Sequence, residues 1–319
     1  MPTYDDSISR DGSDDPLLPV PVAAQVIAEL PKSSAVLSLA RTVRMAAGTQ
    51  RLPVLSVLPQ AYWVSGDTGL KQTGTVDWKN VSLTAEEIAV IIPIPDAYAA
   101  DSQVPIWDEV MPLVTQAIGT VFDAACLFGT NKPTSFPALG VYGHAIAAGN
   151  VLVAGASSTD LLQNVASMGT LLANDGYALG GFVAGPGFGW RLAHLRTASD
   201  KTPVYQQDVQ GGLGRTIYGF PVREVANGAW DSTEAALIAG DWSKAIVGLR
   251  QDITFTRHTD GVITDTEGKV LFNAMQQDST LYRCVFRAAF ALANPVTSMN
   301  ATEGTRSPFA VIQETTANS

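Results

Sequence analysis

Between Val81 and Ile94 the side chains alternate, with Thr84, Glu86, Ile88, Val90, Ile92 and Ile94 on one side and Leu83, Ala85, Glu87, Ala89 and Ile91 on the other. A period of two with β-branched residues crowding the second half predicts one long strand, exposed early and buried late. Leu281 to Ala293 alternates more strongly. It places Tyr282, Cys284, Phe286, Ala288, Phe290 and Leu292 on one face and Arg283 and Arg287 on the other, and is the expected sheet partner of the first strand. From Trp107 to Phe128 the period changes: Val110, Val114, Ala117, Val121 and Ala125 recur at helical spacing. One long helix stopped by Gly129 is predicted there, with Pro112 tolerated if it lies in the first turn, where amides have no intrahelical partner.

Around these three elements the pattern breaks into shorter pieces. Residues 1–20 are rich in Asp, Ser and Pro and read as an arm; Pro21 to Leu30 has one apolar face and reads as a short helix ended by Pro31. Arg51 to Leu58 and Ala61 to Val64 read as extended segments. Ser65 to Gly74 is a polar, glycine-rich loop tip, and the chain returns through Trp78. Pro133 to Val225 reads as a compact α/β region with a helix over Thr159–Asn174 stopped by Gly176, a strand at Phe182–Ala184 and a helix over Trp190–Arg196. Strands are expected at Ala236–Asp241, Ala245–Gly248 and Ile253–Arg257.

Composition narrows the class. At 319 residues and 46% hydrophobic the chain can bury a sizeable core, and a formal net charge of -10 repels phosphate, which argues against a basic nucleic-acid reader. Cys126 and Cys284 stand in apolar stretches far apart and read as reduced core residues rather than a disulfide or a nucleophile. The acidic start (Asp5, Asp6, Asp11, Asp14, Asp15) does not resemble a signal peptide, no run of about 18 apolar residues occurs, and no membrane association is expected. The sequons at Asn80 and Asn300 read as accidents of composition.

Catalytic chemistry has little to stand on. His144, His194 and His258 lack the companions of a metal site, and no nucleophile elbow, P-loop or zincin motif occurs. No cofactor is expected. Gly185-Pro186-Gly187-Phe188-Gly189-Trp190 follows a predicted strand and opens a predicted helix, as a dinucleotide turn would. Trp190 stands where a small residue is needed and Pro186 removes an amide, so a tight turn is the expected reading. Glu86-Glu87 and Asp108-Glu109 are neighbours that point apart and read as solvated or interfacial charge.

The order of segments resembles the Hong Kong 97-type major capsid proteins of tailed phages. The resemblance rests on Leu52-Pro53 through Ala61-Tyr62-Trp63-Val64 and Thr75-Val76-Asp77-Trp78, which look like that family's extended loop. It also rests on the long strand to Ile94, the helix ending Phe122 to Gly129, Gly219-Phe220-Pro221-Val222, Gly240-Asp241-Trp242-Ser243 and the run Tyr282 to Pro295. It implies an α+β capsid fold with an N-terminal arm at 1–33, an extended β-hairpin loop at 50–82, a peripheral domain with a spine helix (34–49, 83–132 and 236–319) and an axial α/β domain at 133–235. It further implies a structural subunit, not an enzyme, that assembles with itself as hexamers and pentamers of an icosahedral phage head in the host cytoplasm. Separate scaffolding, portal and decoration proteins are its other expected partners, and double-stranded DNA is enclosed rather than specifically bound. Tyr62, Trp63, Lys71, Trp78 and Lys79 are the subunit-interface candidates, because aromatic surface on a loop is disfavoured in a monomer. No convincing constellation for the Lys–Asn crosslink of some relatives is present. An encapsulin-like compartment, which shares the fold, is the alternative, and a nucleotide-binding enzyme using Gly185–Gly189 a second.

Overall fold

The computed structural model describes residues 34–64, 71, 73–102, 106–154, 158–194 and 216–314. The expected arm, its Pro21–Leu30 helix and most of the loop tip lie outside the described residues, as do positions 195 and 196 of the expected Trp190–Arg196 helix. In chain order the elements are α1 (Ala35–Leu39), β1 (Arg41–Arg44), β2 (Thr49–Val57), β3 (Asp77–Thr84), β4 (Glu86–Pro95), α2 (Asp96–Asp101) and α3 (Ile106–Leu127). There follow α4 (Val141–Ala147), β5 (Val151–Val153), α5 (Ser158–Asn174), β6 (Gly181–Ala184), α6 (Phe188–His194), β7 (Thr216–Ile217), β8 (Phe220–Glu224) and β9 (Ala235–Gly240). The chain closes with β10 (Ala245–His258), β11 (Val262–Thr264), β12 (Val270–Asn273), β13 (Ser279–Leu292) and β14 (Phe309–Gln313). Two compact units result, and α3, β10 and β13 each contribute residues to both.

One unit holds Glu87–Gly119 and Gln251–Arg287. Here β4 pairs beside β13, as the alternation suggested, and forms the sheet edge, which is where Pro93 can sit without costing a ladder hydrogen bond. Ile92, Ile94, Tyr98, Ile106, Trp107, Val110 and Tyr282 make its core. Trp107 stacks on Tyr282 at 4.1 Å and meets Phe255 edge-on at 5.5 Å. The expected single strand over Val81–Ile94 is in fact two: β3 ends at Thr84 and β4 starts at Glu86. Pro112 lies inside α3, beyond its first turn, so one internal hydrogen bond is forgone. By length and composition α3 could cross a bilayer. Its buried Val114, Ile118, Phe122, Ala125 and Cys126 are those of an internal helix.

The second unit holds the remaining described residues. A six-stranded sheet, β5-β14-β9-β6-β8-β7, forms its centre, with β14–β9 and β9–β6 antiparallel and β5–β14 and β6–β8 parallel. Val165, Met168 and Leu172 of α5 and Phe188 and Leu192 of α6 pack with Phe182, Leu237, Ala239, Ala310 and Ile312 of the sheet. Although residues after 235 were expected in a different domain from 133–235, β9 and β14 pair with strands from within that span. Every residue of β9 is buried, and continuous burial marks an interior strand without telling which sheet it enters. Elsewhere in this unit β1 pairs in parallel with the start of β10, Arg41 opposite Ile246. The hairpin of β2 and β3 runs from Thr49↔Thr84 to Val57↔Asp77 with a bulge after Leu55. β2 stops at Val57, so Ala61–Val64, expected as a strand, has no regular structure. Pro59 in the intervening stretch lacks an amide to continue the ladder.

Candidate subunit interface

The β2–β3 hairpin has two ends of opposite character. At its root Leu52, Val54, Val81 and Leu83 pack with Met45, Ile246, Ala289 and Ala291. The amide of Val296 donates to the Leu55 carbonyl at 3.0 Å, and Lys79 Nζ donates to Glu303 Oε1 at 2.7 Å. Its far end carries Val57, Tyr62, Trp63, Val64, Val76 and Trp78 in the open, Trp63 at 101% and Trp78 at 61% exposure. Burying one large apolar side chain is worth about 1.5–3 kcal/mol, so this patch gains from any cover it finds. All five interface candidates are exposed: Tyr62 and Trp63 after β2, Trp78 and Lys79 on β3, and Lys71 between. Lys79 alone of the two lysines is shown in an ion pair, and its partner Glu303 is held below the ordinary carboxylate value chiefly by that hydrogen bond.

A cavity of about 310 Å³ opens at the hairpin root, lined in part by Leu55, Lys79, His144, Glu303 and Arg306. His144 Nδ1 lies 2.9 Å from Ser307 Oγ. Burial depresses its pKa, Glu303 opposes this, and Arg306 adds to the depression. Arg306 itself is committed inward, donating to Asn294 and to the Asn300 carbonyl.

Two features escaped the sequence reading. The hairpin of β11 and β12 exposes Val262, Val270, Leu271 and Met275, the last at 81%. Its signal was present as two short apolar runs around a turn built on Asp265, whose carboxylate accepts from the amides of Glu267 and Lys269. The other is Asp123, fully buried on α3. Its carboxylate accepts from the Ser34 hydroxyl, from the amides of Ala35 (3.0 Å) and Val36 (3.3 Å), and from Asn227 Nδ2 (2.8 Å). Burial raises its pKa, and these hydrogen bonds offset the rise in part. A lone Asp in an apolar helix was its only sequence signal.

The glycine turn after β6 is closed to phosphate. Gly187 and Gly189, whose amides would cradle an anion, donate to the carboxylate of Glu224 at 3.2 and 2.8 Å. A Cβ on Gly185 would meet the Trp230 ring at 2.7 Å, which accounts for that glycine by packing alone. Cys126 and Cys284 are buried free thiols.

Residues 15–297 match the family described as the phage capsid family. A solved chain of Microbacterium phage Oxtober96 superposes with a TM-score of 0.83 at 36% identity, over 94% of this chain and 97% of that one. A chain of Mycobacterium phage Bobi gives 0.82 at 30% identity, over 94% and 97%. The major capsid protein of Staphylococcus phage 80alpha is 21% identical over 276 residues, 84% of this chain and 79% of that protein.

Proposed function

The chain belongs to the phage capsid family and is a major capsid protein of a tailed phage, and from that premise we propose how its surface serves assembly. Self-assembly into a multimeric capsid, and residence in the virion, go with the family. Hexamers and pentamers closing an icosahedral head are the arrangement proposed here, built in the host cytoplasm with separate scaffolding, portal and decoration proteins and enclosing double-stranded DNA. A net charge of -10 supports an inner wall that confines DNA without gripping it. The peripheral and axial domains inferred from sequence are retained as the plan of the subunit, with β9 and β14 joined to the axial sheet.

The observation that carries this reading is the exposed aromatic end of the β2–β3 hairpin on a well-packed root. Tyr62, Trp63 and Trp78 lie across a second copy in the capsomer, Lys71 and Lys79 flank that contact, and the β11–β12 hairpin supplies a further apolar contact. An encapsulin-like use of the fold is disfavoured by likeness to phage chains at 30% identity and above. Size-exclusion chromatography of the full chain with Trp63→Ala and Trp78→Ala combined tests the interface. The variant is expected to elute as folded small species where the wild type forms capsomers or particles. Unchanged assembly would remove the hairpin from the interface.

A further inference from the structure

Asp123 is an ionisable group with no exposure to water, and none of its four hydrogen-bond donors carries a charge. A carboxylate paired only with neutral donors recovers less than the hydration it loses, whereas a cation would have supplied the balance. Three of the four donors, the Ser34 hydroxyl and the amides of Ala35 and Val36, come from one short stretch at the start of the described chain. That stretch has little else to hold it. α1 is a single turn capped by Ser34 Oγ, which accepts from the Leu37 amide, and Ala40 closes it by donating to the Val36 carbonyl. The fourth donor, Asn227, is fixed independently: its Oδ1 accepts from the Ala229 amide and its carbonyl accepts from Thr120 Oγ1. The 34–36 stretch can therefore leave Asp123 while the rest of the pocket stays in place.

We propose that Ser34–Val36 is a clasp closed on Asp123, that it opens locally to let the carboxylate take up water, and that its opening and closing set free or fix the take-off of the 33 residues before it. Opening grows as the pH rises. The closed state holds the carboxyl above its ordinary value because burial disfavours the charge, while the open, hydrated state returns it towards that value. The closed state thus binds the proton more readily. Closure is favoured below the ordinary carboxylate value and loses this advantage as the pH climbs through the raised one. The neighbours do not reverse the sign. Ser34, Ala35, Val36 and Asn227 do not titrate in this range, and Cys126, the next ionisable group along α3, is a fully buried thiol whose pKa is pushed well up by burial first and by Asp123 second. The consequence for shell assembly rests on the capsid reading above, but the local opening does not.

Amide hydrogen exchange of the full chain between pH 4 and 7, corrected for intrinsic rates, reads this opening at Ala35, Val36 and Leu37, with the amides of Leu237 and Ile238 in the buried β9 as reference. Protection at the three clasp amides is expected to fall at least about threefold from acid to neutral pH, while the reference amides hold. Asp123→Asn should flatten the profile. Asn227→Ala, which removes a donor and keeps the carboxylate, should steepen it and provides the test if the Asn variant does not fold. A flat wild-type profile, an unaltered slope in Asp123→Asn or no steepening in Asn227→Ala would overturn the clasp. If that chain still formed particles, the capsid reading would stand without it.

Discussion

A Cβ placed on Gly240 would lie 2.2 Å from the Phe309 ring and 2.8 Å from the Pro308 carbonyl, both of them packed in the six-stranded sheet. Neither neighbour can move aside cheaply, so Gly240→Ala is expected to lower the unfolding free energy by about 1–3 kcal/mol in a denaturant titration. His144 gives a pH dependence of the opposite sense to Asp123. Burial keeps it below the ordinary imidazole value of 6.5, so the unfolded chain takes up the proton more readily than the folded one. Its contribution to stability is full above 6.5 and is lost as the pH falls below it, towards the depressed folded value. The denaturation midpoint should therefore drop between pH 7.5 and 5.5, and His144→Gln should show a smaller drop; equal slopes would assign the titration elsewhere. None of this was legible in the sequence. His144, Asp123 and Gly240 owe their roles to neighbours far along the chain, Ser307, Ser34 and Phe309, and no local spacing encodes those pairings.

Elements were legible where one period ran long enough. The helix expected over Trp107–Phe128 is α3, and its stop at Gly129 is the left-handed residue, φ +73°, that follows it. The Thr159–Asn174 helix and its stop at Gly176, φ +79°, likewise became α5. Failures came where partners rather than propensity decide. Ala245–Gly248 and Ile253–Arg257 are one strand, β10, because pairing continues through the polar stretch Leu249–Asp252; there Arg250 donates to the Met45 carbonyl. The short run Phe309–Ile312 has too few residues to show a period, yet it pairs between β5 and β9 near the middle of a sheet. The β2–β3 hairpin was readable because its chemistry is unusual: two tryptophans and a tyrosine around a glycine-rich tip. Since Trp63 and Trp78 are exposed and their hairpin is held at its root, the Trp63→Ala, Trp78→Ala chain should keep its unfolding free energy to within about 0.5 kcal/mol while losing assembly. A large loss of stability would mean the aromatic end supports the fold of the subunit itself.

For the whole molecule, one fact links the scales: the packed interior is complete, while the apolar surface left over is gathered on two hairpins. Such surfaces on a chain that meets copies of itself by head-to-tail contacts generate closed rings and shells when the rotation closes. The acidic balance keeps the chain from binding packaged DNA as a ligand and leaves assembly to contacts between subunits. The family membership covers nearly the whole chain, so the structural role applies to the molecule and not to a fragment of it. The most direct measurement is electron microscopy of the purified full-length chain at high concentration, alone and with crowding agent. The account predicts capsomers, tubes or closed polyhedral particles built from this one chain. A sharp, stable monomer under every condition, including co-expression with a scaffolding protein, would contradict it.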